Sequence, residues 1–136
     1  MTTIRTANNA FATAAPGKAL NIALWTLQVL VALLLLAAGS GKLVGSAAMV
    51  ALFDAIGIGQ WFRYVTGSLE VLGALLLIVP GTTAFGAVLL ACVMAGAVAA
   101  HLTVLHTAAT VPLVLFALTA LIAWGRRSQL AGLLSS

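Results

Sequence analysis

Apolar positions in this chain come in long blocks, separated by short breaks rich in glycine, proline and polar residues. The first block covers residues 20–43 and has an uninterrupted core, LQVLVALLLLAAGSGKL. A second covers 61–81, WFRYVTGSLEVLGALLLIVPG, and a third 84–105, AFGAVLLACVMAGAVAAHLTVL. Each is long and apolar enough to cross a bilayer as a helix. A fourth, VPLVLFALTALIAW at 111–124, is short for a span, so its helix should start a few residues earlier or thin the bilayer locally. Pro112 near its start does no harm, because the first-turn N–H it lacks has no intrahelical partner.

Between the first two blocks lies SAAMVALFDAIGIGQ at 46–60. Met49, Leu52, Phe53 and Ile56 recur at helical spacing, Asp54 falls off that stripe, and Gly57 and Gly59 end the segment. It is too short to span, so a short interfacial or re-entrant helix is expected, with an ordinary loop as the alternative. Pro80-Gly81-Thr82-Thr83 forms a tight uncharged turn. Gly41 and Gly45 offer a pair of small residues for close helix approach. The Ala/Gly-rich third block is expected to be buried among the others. The fold class that follows is all-α: an integral membrane four-helix bundle, with a short interfacial helix between helices one and two. Its parts are a flexible cytoplasmic tail at 1–18, a transmembrane domain at 19–127 and a flexible C-terminal tail at 128–136. A targeting peptide is the rival reading of 1–18, but the following apolar block is too long for a secretory signal core.

Composition agrees with the pattern. Of 136 residues, 63% are hydrophobic and 6% charged, too few charges to solvate the surface of a soluble domain. The net charge of +4 comes from basic residues at the ends of spans, with no basic stripe for nucleic acid. Arg5 and Lys18 precede the first span, and Arg126 and Arg127 follow the fourth. With four spans both termini share a side, which the basic residues mark as cytoplasmic, in a bacterial-type inner membrane. A single cysteine, Cys92, excludes an internal disulfide or a CxxC redox pair, and its Ala/Gly/Val-rich setting reads as packing.

Glu70 stands out, a carboxylate halfway along the second span. A charge at that depth normally faces protein, water or a partner charge. Arg63, Thr66, Gly67, Glu70, Gly73, Ala74 and Leu77 share one helix face, while Val65, Leu69, Leu72, Leu76 and Val79 form the lipid side. Lys42 closes helix one, Arg63 opens helix two and His101 lies late in helix three, so alternating helix directions bring all four groups to one end of the bundle. Gln28, fourteen residues before Lys42, lies within roughly 40° of the same face of helix one. The expected feature is a polar cluster of Lys42, Arg63, Glu70 and His101 around a pocket with Glu70 as its floor. Lys42 or Arg63 would hold Glu70 as a carboxylate, and His101 would serve as hydrogen-bond partner or proton relay. A purely structural helix-to-helix pairing is the competing reading. His106 reads as interfacial. No metal site is expected, since one carboxylate and two histidines fit no zinc or di-iron pattern. Motifs for haem attachment, serine hydrolysis and nucleotide binding are missing.

The ordered residues Gly41-Lys42-Leu43, then Phe53 and Ile56-Gly57, then Gly67, Glu70 and Gly73-Ala74, then Gly86-Ala87, Met94, Ala97 and His101 resemble the DoxX/DoxX-like family of small four-span membrane proteins. The resemblance covers residues 23–124. It implies a four-helix bundle associated with membrane redox chemistry, the family taking its name from a subunit of a thiosulfate:quinone oxidoreductase. It carries no agreed catalytic residues, so Lys42, Glu70 and His101 stand on position and physics.

The expected function is therefore a small membrane subunit of a quinone-linked or sulfur/thiol oxidoreductase complex, with membrane lipids and protein partners around it. Whether chemistry occurs in this chain, and whether it forms a homo-oligomer, stays open. No intrinsic cofactor is expected, a quinone being the candidate ligand. The alternatives are a stand-alone binder, transporter or enzyme for a lipid-like or terpenoid molecule, and a purely structural accessory bundle.

Overall fold

Glycine and proline cut the apolar blocks into helices at sharply defined points. The computed structural model describes residues 16–135, so most of the expected N-terminal tail lies outside the described residues. In chain order the helices are α1 (Lys18–Val44), α2 (Ala47–Ile56), α3 (Gln60–Ile78), α4 (Thr83–Thr103), α5 (Thr110–Gly125) and α6 (Arg127–Leu134). No strand occurs among the described residues. Gly45 ends α1 in the left-handed region at φ 76°, its N–H returning to the carbonyl of Gly41 at 3.2 Å. Gly57 ends α2 in the same way at φ 83°. Without a Cβ, both adopt a conformation that costs other residues free energy.

Helices α1, α3 and α4 are each long and apolar enough to cross a membrane. The pair α5 and α6, bent by 56° at their junction, makes a fourth span when counted together. The helix of the short fourth block gains only one residue at each end of the expected 111–124, and beyond the bend the chain continues as α6. Residues 128–136, read from the sequence as a soft tail, thus carry helix as far as Leu134. Its Gln129 Oε1 accepts a hydrogen bond from the N–H of Ala84 at 2.9 Å, tying α6 to the start of α4. The polar run RSQ gave no periodic signal for this short element.

Antiparallel packing runs α1 against α3, α3 against α4, α4 against α5, and α5 back toward α1. Val31 and Leu35 of α1, Ala74 and Leu77 of α3, Ala87 and Leu90 of α4, and Ile122 of α5 form the core. Leu33, Leu34, Leu72 and Leu121 are at least half exposed and make the lipid-facing surface. The inward face expected for α3 is observed: Arg63, Gly67, Glu70, Gly73, Ala74 and Leu77 are its buried residues. Where α1 crosses α3, a Cβ on Gly39 would come within 2.9 Å of the Gly67 carbonyl, and one on Gly67 within 2.9 Å of the Lys42 Cβ. Backbones approach this closely only with glycine on both sides.

Two packing expectations need correction. Gly41 and Gly45 do not make the close approach. Gly41 faces only the Ser46 Oγ at 3.9 Å, and Gly45 is occupied as the cap of α1. Helix α4 is buried on one face only, through Gly86, Ala87, Leu90 and Met94. Cys92, Ala95, Gly96 and Ala99 are exposed on its other side, because only α3 and α5 pack extensively against it.

Candidate functional site

The site grows from the Gly39/Gly67 crossing. That close contact sets the last turn of α1 beside the middle of α3, and Lys42 Nζ meets Glu70 Oε2 at 3.0 Å. Glu70 is 3% exposed and Lys42 15%. A carboxylate so buried needs a charged partner at hydrogen-bond distance, and Lys42 is that partner. The ammonium keeps two further donors and the carboxylate a second oxygen, so the pair is not saturated.

Arg63 is equally buried but turns elsewhere. Its Nη1 donates to the carbonyl oxygen of Lys42, and its Nε donates to Gln60 Oε1 at 2.7 Å. Gln60 in turn donates through Nε2 to Asp54 Oδ1 at 2.7 Å and to the Val50 carbonyl at 3.0 Å. Arg63 therefore closes the carbonyl end of α1 and, through Gln60, holds α2. Charge at a helix C-terminus is favourable on its own account, and the guanidinium fixes the segment from which Lys42 projects.

A partly open cavity of about 670 Å³ lies beside the ion pair, enclosed by α1 to α5. Lys42, Thr66, Glu70 and His101 are polar groups in its wall, and Arg63 is not among the lining residues. Met49, Leu52, Phe53 and Ile56, the apolar stripe of α2, form one side. Edge-to-face contact between Phe53 and Phe62, centroids 5.9 Å apart, anchors that helix on α3. Val111, Pro112 and Leu115 of α5 complete the enclosure, a contribution that the sequence pattern did not signal.

His101 reaches the cavity but not the ion pair. Its Nδ1 is 2.8 Å from Thr107 Oγ1, and among the described residues it makes no hydrogen bond to Glu70 or Lys42. His106 is exposed, at φ 51° in the turn after α4. Cys92 is also exposed, at the lipid-side edge of the cavity, rather than packed inside.

The DoxX-like family matches residues 26–123, from α1 through nearly all of α5. The chain belongs to the DoxX-like family. Comparison with curated proteins and with solved structures finds no match. Every residue of this DoxX-like chain that lines the cavity falls within the matched stretch.

A second polar cluster sits at the opposite end of the bundle and was not anticipated from sequence. Gln28, fully buried, donates through Nε2 to the Leu77 carbonyl at 3.0 Å. Its Oε1 accepts from Arg126 Nε at 2.7 Å, and Arg126 Nη1 donates to Asn21 Oδ1 at 2.6 Å. From its position alone Arg126 reads as an end-of-span charge. The available signal was Gln28 itself, whose face pointed inward like that of Lys42.

Proposed function

We propose that this DoxX-like protein is a small membrane subunit of a redox complex, holding a lipid-like ligand of the quinone class in the α1–α5 cavity. The observation that carries the reading is an apolar cavity with an unsaturated Lys42–Glu70 ion pair in its wall. Such a pocket, apolar with a few convergent polar groups, suits an amphiphile whose headgroup makes a small number of hydrogen bonds. A quinone carbonyl accepts from the spare donors of Lys42, and a quinol hydroxyl donates to the spare Glu70 oxygen. The pair carries no net charge, which favours a neutral headgroup over a phosphate. His101, at the wall and tied to Thr107, is placed to exchange protons with a headgroup nearer the polar loops. In this reading the end of the bundle that holds Lys18 and Arg126, opposite the cavity, faces the cytoplasm.

The test is quinone-dependent oxidoreductase activity in native membranes with and without the chain, together with the proteins that co-purify with it. Loss of activity on deletion, restored by wild-type protein and not by Glu70→Gln, is expected. Unchanged activity with no co-purifying oxidoreductase would contradict the redox role. A second reading, a stand-alone binder of a lipid-like or terpenoid molecule, is favoured by one observation: five helices of a single chain supply the lining of the cavity.

A further inference from the structure

Among the described residues, Arg126 is a buried cation that meets no anion. It is 8% exposed, at the junction of α5 and α6, and its two bonded nitrogens meet the neutral amide oxygens of Gln28 and Asn21. The third nitrogen, Nη2, is buried with no hydrogen-bond partner among the described residues. The whole sequence holds only two acidic residues, Asp54 and Glu70. Both are engaged at the other end of the bundle, by Gln60 and Lys42. No acidic side chain of this chain can therefore balance Arg126, and an unbalanced buried guanidinium is costly.

We propose that the counter-charge comes from the membrane: the phosphate of an anionic lipid binds at Arg126. Three observations favour a lipid over a protein carboxylate. The exposed Lys18 and Arg127 flank the same end, which lacks any acidic side chain and so presents a positive rim to lipid headgroups. Trp124 is 67% exposed beneath the Arg127 guanidinium, and Trp25 lies 5.6 Å from the Arg126 guanidinium. Tryptophans with this mixed exposure mark the depth of the headgroup layer. Arg126 itself sits just past the last turn of α5, at the end of the span, and a phosphate at that depth meets Nη2 once the side chains that cover it in this structure move aside. The fork of the guanidinium lets Nη2 take the phosphate while Nε and Nη1 keep their amide partners. This site is independent of the α1–α5 cavity.

Full-length protein in a neutral detergent is titrated with short-chain phosphatidylglycerol, phosphatidylcholine or inorganic phosphate, and bound lipid is read by native mass spectrometry. The expected result is one tightly held phosphatidylglycerol, with weaker phosphatidylcholine and no retained inorganic phosphate. Arg126→Gln should weaken phosphatidylglycerol binding about 10- to 100-fold, the range for losing a charge-assisted hydrogen bond. Arg127→Gln, which removes an exposed charge, should change it little. Retention of inorganic phosphate would make the site one for a free anion and overturn the lipid assignment. Equal binding of both lipids, or equal loss in the two variants, would overturn it as well. So would an acidic protein that co-purifies through Arg126 while lipid preference is absent. Should Arg126→Gln not fold, dephasing of the Arg126 Cζ resonance by lipid phosphorus in wild-type protein supports the site, and its absence refutes it.

Discussion

The two ends of this bundle solve the same problem in opposite ways. At one end Glu70 and Lys42 bring a charge of each sign together at 3.0 Å beside an open cavity. At the other, Arg126 rests on the amides of Gln28 and Asn21 and, among the described residues, meets no opposite charge. The first arrangement is electrically complete but sterically unfilled, which suits a neutral ligand entering the space. The second is sterically filled but electrically incomplete, which suits a fixed anion at its edge. The distribution of a few polar groups thus gives each end a different chemistry on a uniformly apolar scaffold.

The sharpest way to break the contrast is to remove one charge at each end. Glu70→Leu strands the Lys42 ammonium and should cost about 3–5 kcal/mol in reversible unfolding from mixed micelles. Adding Lys42→Met should recover much of that loss, because an apolar pair of similar volume replaces both charges. A double variant no better than Glu70→Leu would mean that the pair is not coupled. Next in size, Gly67→Ala places a Cβ 3.0 Å from the Gly39 carbonyl and 2.9 Å from the Lys42 Cβ. The α1–α3 crossing must widen, at a cost of about 1–3 kcal/mol. An unchanged unfolding midpoint would show that the crossing is looser than described. Arg126→Leu strands only neutral amide oxygens, so in lipid-free micelles its cost should be smaller, about 1–2 kcal/mol. A loss equal to that of Glu70→Leu would erase the distinction between the ends. Smallest of all, Arg127→Gln should stay within about 0.5 kcal/mol of wild type, as exposed substitutions do.

The helices and their order were legible because the signals are local: apolar blocks of spanning length, cut by Gly45, Gly57 and Pro80-Gly81. The Lys42–Glu70 pair was half legible. Depth and helix direction brought Lys42, Arg63 and Glu70 to one end, but two cations were equally eligible for one carboxylate. Side-chain geometry decided between them, giving Lys42 the carboxylate and Arg63 the end of α1. Position near Glu70 was not the same as contact with it, as His101 and its bond to Thr107 illustrate. The Arg126 cluster was barely legible, the inward face of Gln28 being its one signal. An arginine pair after a span reads as a topology signal, and the burial of its first member rests on side chains of α1, Gln28, Asn21 and Trp25, about a hundred positions away. Gly39, the residue that makes the crossing with α3, was legible with Ala38 as a small residue near the Gln28/Lys42 face, but not as the point of contact.

Direct ligand binding tests the central claim most closely. Purified chain in lipid nanodiscs is titrated with a short-chain quinone, comparing wild type with Glu70→Gln and with Ala97→Phe, a substitution in the cavity wall. The account predicts saturable binding to wild type, weakened by about tenfold or more in Glu70→Gln for the lost charged hydrogen bond and abolished by Ala97→Phe. Binding that is the same in all three proteins, or undetectable in folded wild type, would contradict it.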